Sequence, residues 1–513
     1  MKKSFLLAVA LTAGSLFAGS ASAQSALIAA GPGGTIRVSD PALDLKGSVI
    51  GGFTQSTTSS AQCGNSVVVG YADAGARLRT HGFPAPPPGT PSKPASGDGV
   101  SFSTNGGLNF TDVAFLPQGS GSTNFLNGDP VVVCSSPSRF YYASILLTGM
   151  GPTARASISV STSTTGGRTW GSPVVATPSI QISDKPWMAV DPTNPANLYV
   201  SFTATNPPQC SPQAGGFAIG VVSSSNGGAT WSAPTLIDVQ CGPEPGVVTG
   251  SNIAVSPQGA VYVAWEFISF LVTLNPPPTL EIRFASSQDH GRTFSSPLTV
   301  SPVVPTGDPF SGSAFFYSTG VMQGGFLANE FPQIAVDRSS GSSRGTIYIA
   351  WADGKDHVTS NPATETKRYD YADIIVAKSS DSGRSFAVLP AISPVPANFT
   401  GPGRDQFFPG IAVDKTGTVA ACYYDRRNDP NNMRIDRFCS VSTNQGSSWT
   451  DQRASTSNWL PLICSDAAAV NTGCSEMGLY DTVTTDFFLL NSGFFASFQI
   501  QEDGNANILA KKF

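Results

Sequence analysis

Short apolar runs of strand length, rich in Val, Ile, Tyr and Trp, recur along the chain in a fixed order between glycine- and asparagine-bearing turns. The first run of each unit reads "PWMAVDP", "SNIAVSP", "FPQIAVD" or "FPGIAVD". The second reads "NLYVSFTA", "AVYVAWEF", "TIYIAWAD" or "TVAACYYD", and the third "FAIGVVSSS", "LEIRFASS" or "DIIVAKSS". A weaker fourth run follows, and no long helical period intervenes. The pattern predicts an all-β protein built from repeats of four antiparallel strands.

Between the third and fourth runs stands a turn written six times: "STNGGLNF", "STTGGRTW", "SSNGGATW", "SSQDHGRTF", "SSDSGRSF" and "STNQGSSW". Aligned on S-x-[DN]-x-G-x-x-[WF], the copies begin at Ser103, Ser163, Ser224, Ser287, Ser379 and Ser442, with Thr165 replacing the Asp or Asn in one. Their spacings of 60, 61, 63, 92 and 63 residues describe one unit with a single large insertion. An Asp or Asn can bond the turn's own backbone, Gly admits a positive φ, and the aromatic can pack between strands. The turn is therefore a staple of the fold, and Asp289 and Asp381 read as structural rather than catalytic. Four-stranded units repeated in this way predict the blades of a single β-propeller.

The repeated turns resemble the Asp boxes, or BNR repeats, of the sialidase-type propeller superfamily, and the resemblance covers nearly the whole of residues 24–513. It implies the architecture more narrowly than the activity, since that superfamily holds exo-sialidases, other glycosidases, polysaccharide lyases and non-catalytic receptors. Six boxed units are followed by "LYDTVTTDFF", "GFFASFQIQ" and "NANILAKKF", three strands without a box. The N-terminal "GTIRVSD", near 34–40, can complete a seventh blade with 478–513 and so remove exposed sheet edges. Seven blades are expected, with six, as in the family's sialidases, as the alternative.

In such a blade the loops before the first strand and after the second share one face, and the repeated turn lies on the other. Ligands are expected opposite the turns, where the irregular loops fall. The insertion "SPVVPTGDPFSGSAFFYSTGVMQGGFLANE" brings Phe310, Phe315, Phe316, Tyr317 and Phe326 there, to stack on sugar rings or to form a small satellite core. Charges at the ends of the inner strands would face the funnel. They are Asp184 and Lys185 in the third unit, Glu266 in the fourth, and Glu330 and Asp353 in the fifth. The sixth adds Arg404, Asp405, Tyr424, Asp425, Arg426, Arg427 and Asp429, and the last Glu476 and Tyr480. Carboxylates beside arginines suit glycan chemistry, and the same residues also suit solvated loops or ion pairs between blades.

By resemblance to the sialidases, Tyr480 falls on the nucleophile strand, and Glu330 would be its activating carboxylate. Arg404, Arg426 and Arg427, with Tyr424, would bind substrate, and Asp353 and Asp425 complete the catalytic candidates. The chain departs from the family at three points. Its nearest match to the first family arginine is Arg37 in the closing strand, no arginine shortly precedes Tyr480, and Asp73 is a loose match for the family's acid. The expected function is binding and cleavage of an extracellular glycan, sialidase-like or otherwise. The competing class is a non-catalytic carbohydrate- or protein-binding scaffold.

The rest of the sequence narrows the setting. "MKKSFLLAVALTAGSLFAGSASA" reads as a secretory signal over 1–23, cut before Gln24, so a secreted or periplasmic chain is expected. No membrane span is expected, because no later apolar stretch is long enough. Charged residues are only 12%, with 53 Gly and 40 Pro, which favours a turn-rich β protein. A net charge of −5 gives no reason to expect a nucleic-acid partner. The eight cysteines lack a CxxC, and their positions suggest sequential disulfides: Cys63–Cys134, Cys210–Cys241, Cys422–Cys439 and Cys464–Cys474. No metal or cofactor motif is present, His81, His290 and His357 all fall in loops, and a monomer acting on a glycan is expected.

Overall fold

A computed structural model describes residues 34–41, 55–73, 97–113, 116–117, 124–149, 154–211, 215–242, 246–269, 279–306, 320–322, 327–354, 372–392, 404–461, 478–502 and 505–513. Among them there is no α-helix, and the apolar runs form antiparallel four-stranded meanders. Sheet 1 comprises Gln55–Cys63, Ser66–Asp73, Asp98–Ser103 and Thr111–Asp112. Sheet 2 comprises Val131–Cys134, Phe140–Thr148, Arg155–Ser163 and Val174–Val175, with Phe125–Leu126 added beside the second strand. One parallel pair, Ile182 with Ala156, joins it to sheet 3, made of Ile182–Val190, Leu198–Thr205, Gly216–Ser224 and Thr235–Cys241. Sheets 4, 5 and 6 begin at Val247–Val255, Gln333–Val336 and Gln406–Val413 and follow the same order. In sheet 7, Val483–Thr484 and Phe495–Glu502 precede Asn505–Lys512, and the outermost strand is Ile36–Arg37, which pairs Ile36 with Ala510 and Arg37 with Leu509.

The first strands of these sheets share a centre. Residues 59–62, 131–134, 187–190, 252–255, 333–336, 410–413 and 482–485 line one cavity of about 220 Å³. Sheets radiating from a common channel give a propeller-like layout, with the apolar cores lying between neighbouring sheets. One such core packs Ile282 and Phe284 of sheet 4 against Ile347, Ile349 and Trp351 of sheet 5.

The six repeated turns are built alike. In each, the Ser hydroxyl accepts from the Gly amide four residues on, as in Ser103 and Gly107 or Ser379 and Gly383, at 2.8–2.9 Å. Asp289 Oδ1 and Asp381 Oδ1 accept from the amides of Thr293 and Ser385, and Thr165 replaces this carboxylate with its hydroxyl. The closing aromatic packs inward: Phe386 meets Phe284 edge-on at 5.0 Å and Trp170 meets Tyr142 at 5.8 Å. Gly383 has φ +83°, and a Cβ there would stand 2.3 Å from Phe284 Cε1. Left-handed strain and overpacking together predict that Gly383→Ala loses roughly 2–5 kcal/mol of stability, measured by denaturant unfolding.

Three of the expected disulfides are present. Cys63–Cys134 ties the inner strands of sheets 1 and 2, Cys210–Cys241 joins two segments of sheet 3, and Cys422–Cys439 links a cross-strand pair in sheet 6. Cys464 and Cys474 lie outside the described residues, as do Glu476, His81, His357 and the five insertion aromatics.

The inner strands of sheets 1, 3, 4 and 6 carry the same bulge. Pairing slips between Ser56 and Ser59, Asp184 and Trp187, Thr249 and Asn252, and Phe407 and Gly410. Thr57, Lys185, Gly250 and Phe408 adopt positive φ there, between 49° and 61°. A bulge re-aims the side chains that follow it, and these all lie towards the end of the strand opposite the repeated turn.

Candidate active site at the axial mouth

The register separates two faces. In sheet 1, Ala72 pairs with Asp98 at one end and Val67 with Ser103, where the repeated turn begins, at the other. In sheet 6, Asp425 pairs with Gln406 and Asp436 at one end, and Val419 pairs with Ser442 at the other. Asp98 and Asp425 therefore stand at the end away from the turns.

At this mouth the segment 478–481 crosses from sheet 7 towards the axis. The Leu479 amide donates to Thr57 Oγ1, and Asn329 Nδ2 donates to the Leu479 carbonyl. Tyr480 then lies against Trp187 of sheet 3, ring centroids 4.9 Å apart, and its hydroxyl donates to the Pro130 carbonyl at 3.0 Å. Its neighbours are acidic. Burial raises the Tyr480 pKa well above the ordinary phenol value, and Asp129, Asp98, Asp184 and Asp481 raise it further. The phenol is thus held neutral and acts as a hydrogen-bond donor.

Asp98 opens the third strand of sheet 1 and is fully buried. It accepts from the Ser144 hydroxyl and from the Gly128 backbone, so the carboxylate is tied to the turn that carries Asp129 and Pro130. Burial raises its pKa to about 7, with Asp129 and Asp73 adding to the rise and the Ser144 and Gly128 hydrogen bonds opposing it. Lys185, turned by the sheet 3 bulge, bonds both Asp129 and Asp184 at 3.2 Å. The mouth therefore combines a neutral phenol, a carboxyl that changes charge near neutrality, two further aspartates and the lysine that bonds them both. That set can supply general acid and base groups and can stabilise positive charge.

The other residues singled out from the sequence fall elsewhere. Glu330 is buried at the entry to sheet 5, where its Oε1 accepts from the amide and hydroxyl of Thr306, both at 2.7 Å, and it adjoins Glu266. Asp353 Oδ2 accepts from Trp351 Nε1, and its Oδ1 from the Val304 amide. Asp425 accepts from Gln406 and from Arg427. Arg427 turns outward to Asp451 of the last strand and stacks over Phe438, so it does not face the axis. Arg426 is fully buried against Asp405 at 3.0 Å. The Tyr424 hydroxyl donates to Asp481 and accepts from the Gln499 amide, binding sheet 6 to sheet 7. Arg404 is half-buried beside the entry to sheet 6, and Arg37 lies in the outermost strand of sheet 7. The structure thus does not gather Arg404, Arg426 and Arg427 around Tyr480. Removing one partner of a buried ion pair strands the other charge, so Arg426→Ala is expected to lower stability by about 3–5 kcal/mol in denaturant unfolding. A purely substrate-binding arginine would leave stability unchanged.

Asp98 and Asp129 did not stand out in the sequence. Their signal is an acid directly ahead of an apolar run in "GDGVSF" and "GDPVVV", the position Asp373 takes in "DIIVAKSS".

No family model and no curated protein matches the chain in sequence. Solved structures do resemble it. A PL25 polysaccharide lyase, an ulvan lyase bound to a GlcA(1-4)Rha3S unit, matches with a TM-score of 0.50 and 9% identity over 90% of this chain and 94% of its own. An α-L-arabinofuranosidase from Fusarium graminearum gives a TM-score of 0.41 and 11% identity over 73% of this chain and 89% of its own. The likeness to the lyase is one of fold.

Proposed function

We propose that the chain is an exported seven-bladed propeller of the Asp-box kind that hydrolyses a neutral extracellular glycan at the mouth opposite its repeated turns. The observation that carries the reading is the gathering of Asp98, Asp129 and Asp184 near enough to the buried Tyr480, whose hydroxyl donates to the Pro130 carbonyl, to raise its pKa. Glycoside hydrolysis passes through an oxocarbenium-like state, and a mouth rich in carboxylates stabilises that positive charge. The protonated Asp98, titrating near neutrality, supplies the proton to the departing oxygen as the glycosidic bond breaks. Water adds to the sugar carbon and gives its proton back to the carboxylates, while the neutral Tyr480 phenol donates a hydrogen bond. Asp129 and Asp184, held in place by Lys185, face the developing charge.

The same charges argue against two relatives of this reading. An anionic sugar such as a sialoside needs cations, and Lys185 is already shared between two aspartates. A lyase develops negative charge on its substrate, which these carboxylates would oppose. Seven inner segments around one cavity support the blade number, and the N-terminal apolar leader with three disulfides supports export. The bond already made between Tyr480 and Pro130 favours a second reading, a binding scaffold in which the tyrosine only packs.

The test incubates the purified protein with neutral polysaccharides, uronate-containing polysaccharides and sialosides, and measures reducing ends and unsaturated ends. Reducing ends from neutral glycans are expected. Unsaturated ends would overturn hydrolysis, and release from sialosides alone would overturn the neutral substrate. Binding without release from any glycan would establish the scaffold.

A further inference from the structure

On the side of the repeated turns, opposite Tyr480, a cavity of about 270 Å³ lies where sheet 7 meets sheet 1. At other junctions a tyrosine closes this corner. Between sheets 2 and 3 a Cβ at Gly227 would stand 3.2 Å from the Tyr141 hydroxyl, and between sheets 3 and 4 the Tyr199 hydroxyl meets His290 Nδ1 at 3.3 Å. Tyr141 and Tyr199 pair with Val133 and Ala189, the third of the four axial residues of their inner strands. In sheet 7 that pairing, with Thr484, belongs to Phe495, which packs against Gly107 and Phe110 and brings no hydroxyl. The cavity opens beside it, against Gly106.

The lining is polar, and its charged side chains are already engaged. Asp486 is buried and accepts from the amides of Gly64, Phe488 and Asn491 and from Asn491 Nδ2. Lys512 Nζ donates to the Gly106 carbonyl at 2.7 Å. The neutral side chains keep groups in reserve. Asn105 Oδ1 is used by its own turn, which leaves Nδ2 to donate, and Gln62 Nε2 is spent on the Gly64 carbonyl, which leaves Oε1 to accept. Asn65, exposed in the turn between the first two strands of sheet 1, commits neither end of its side-chain amide. Phe494 and Phe513, their ring centroids 5.4 Å apart, add a stacked apolar wall.

A ligand for this lining must meet spare donors and spare acceptors together, carry no charge, and lay carbon against an aromatic ring. A neutral sugar does all three, since each hydroxyl both donates and accepts and the ring offers a C–H face. Pockets for drug-sized ligands run to roughly 300–1,000 Å³, so this one suits a single sugar residue. We propose that the cavity between sheets 7 and 1 binds one residue of a neutral sugar through Asn65, Asn105 and Gln62. The site stands whether or not the mouth cleaves glycans, because it lies on the opposite face and shares no residue with it.

The test titrates the purified protein with D-glucose, D-galactose, D-mannose and D-xylose to about 50 mM, read by saturation-transfer NMR, beside Asn65→Ala and Asn65→Trp. At least one sugar is expected to bind with a Kd of roughly 1–10 mM, as fits so small a ligand. Asn65→Ala removes a donor and an acceptor and should weaken binding about tenfold. Asn65→Trp sets an indole at the cavity wall and should remove the signal that the cavity contributes. Both variants should unfold in denaturant as the unmodified protein does, since the exposed side chain bonds nothing. Failure of all four sugars to bind would overturn the proposal. So would affinity and signal unaltered in either variant, since the sugar would then sit elsewhere.

Discussion

Tyr480→Phe is expected to lower glycan hydrolysis about 10²–10³-fold, through loss of a hydrogen-bond donor, while the protein stays folded, as measured by reducing-end release beside far-ultraviolet dichroism and denaturant unfolding. The phenyl ring keeps its edge contact with Trp187, so the packing that holds the 478–481 segment survives. The lost hydroxyl leaves the Pro130 carbonyl without its donor, which is worth about 0.5–1.5 kcal/mol. A scaffold role predicts the opposite balance: glycan binding, if present, would persist and no catalytic step would be lost. Unchanged hydrolysis in the variant would remove Tyr480 from the reaction.

Asp98→Asn is expected to make the protein more stable above neutral pH and less active at the same time. Its carboxyl titrates at about 7 in the folded protein against 3.8 in the unfolded chain, so the folded state holds the proton more tightly. Stability from this group is complete below pH ~4, falls as pH rises, and is lost once pH passes about 7. At about 1.4 kcal/mol for each pH unit of the shift, the decline is on the order of 4 kcal/mol. The groups that face Asp98 are the Ser144 hydroxyl, the Gly128 backbone, Asp129, Asp73 and the Tyr142 and Tyr480 phenols. An Asn cannot ionise, so the slope should flatten in the variant, read from urea midpoints between pH 4 and 8. Hydrolysis should fall by roughly 10²–10⁴-fold because the proton exchange is gone. A pH slope equal in both proteins would show that Asp98 is not the titrating group.

Much of the frame was open to reading because it is written repeatedly. The turn from Ser103 to Phe110 recurs six times, and each copy forms the same hydrogen bond between serine and glycine. The cysteines at 63 and 134, 210 and 241, and 422 and 439 could be paired because each falls at a matching height on adjacent strands or loops. The chemistry at the mouth was harder to read. Which side chains face the axis depends on a one-residue slip in the inner strands, and no composition signal marks it: the bulge is Thr57 in one sheet, Lys185 in another and Phe408 in a third. The run "YDRRND" looks like an anion site in sequence because its counter-charges are remote in the chain. Asp405 and Asp451 come from neighbouring strands and absorb both arginines.

The pairing of Ile36 with Ala510 gives the chain an order of completion. The edge of Asn505–Lys512 is covered by a strand synthesised 474 positions earlier, so that early strand cannot take its place in the sheet until the last strand has been made. Clipping the stretch ahead of residue 42 would therefore act late and at a distance, unfastening the last sheet from its cover and offering a bare ladder of amides and carbonyls to a second chain.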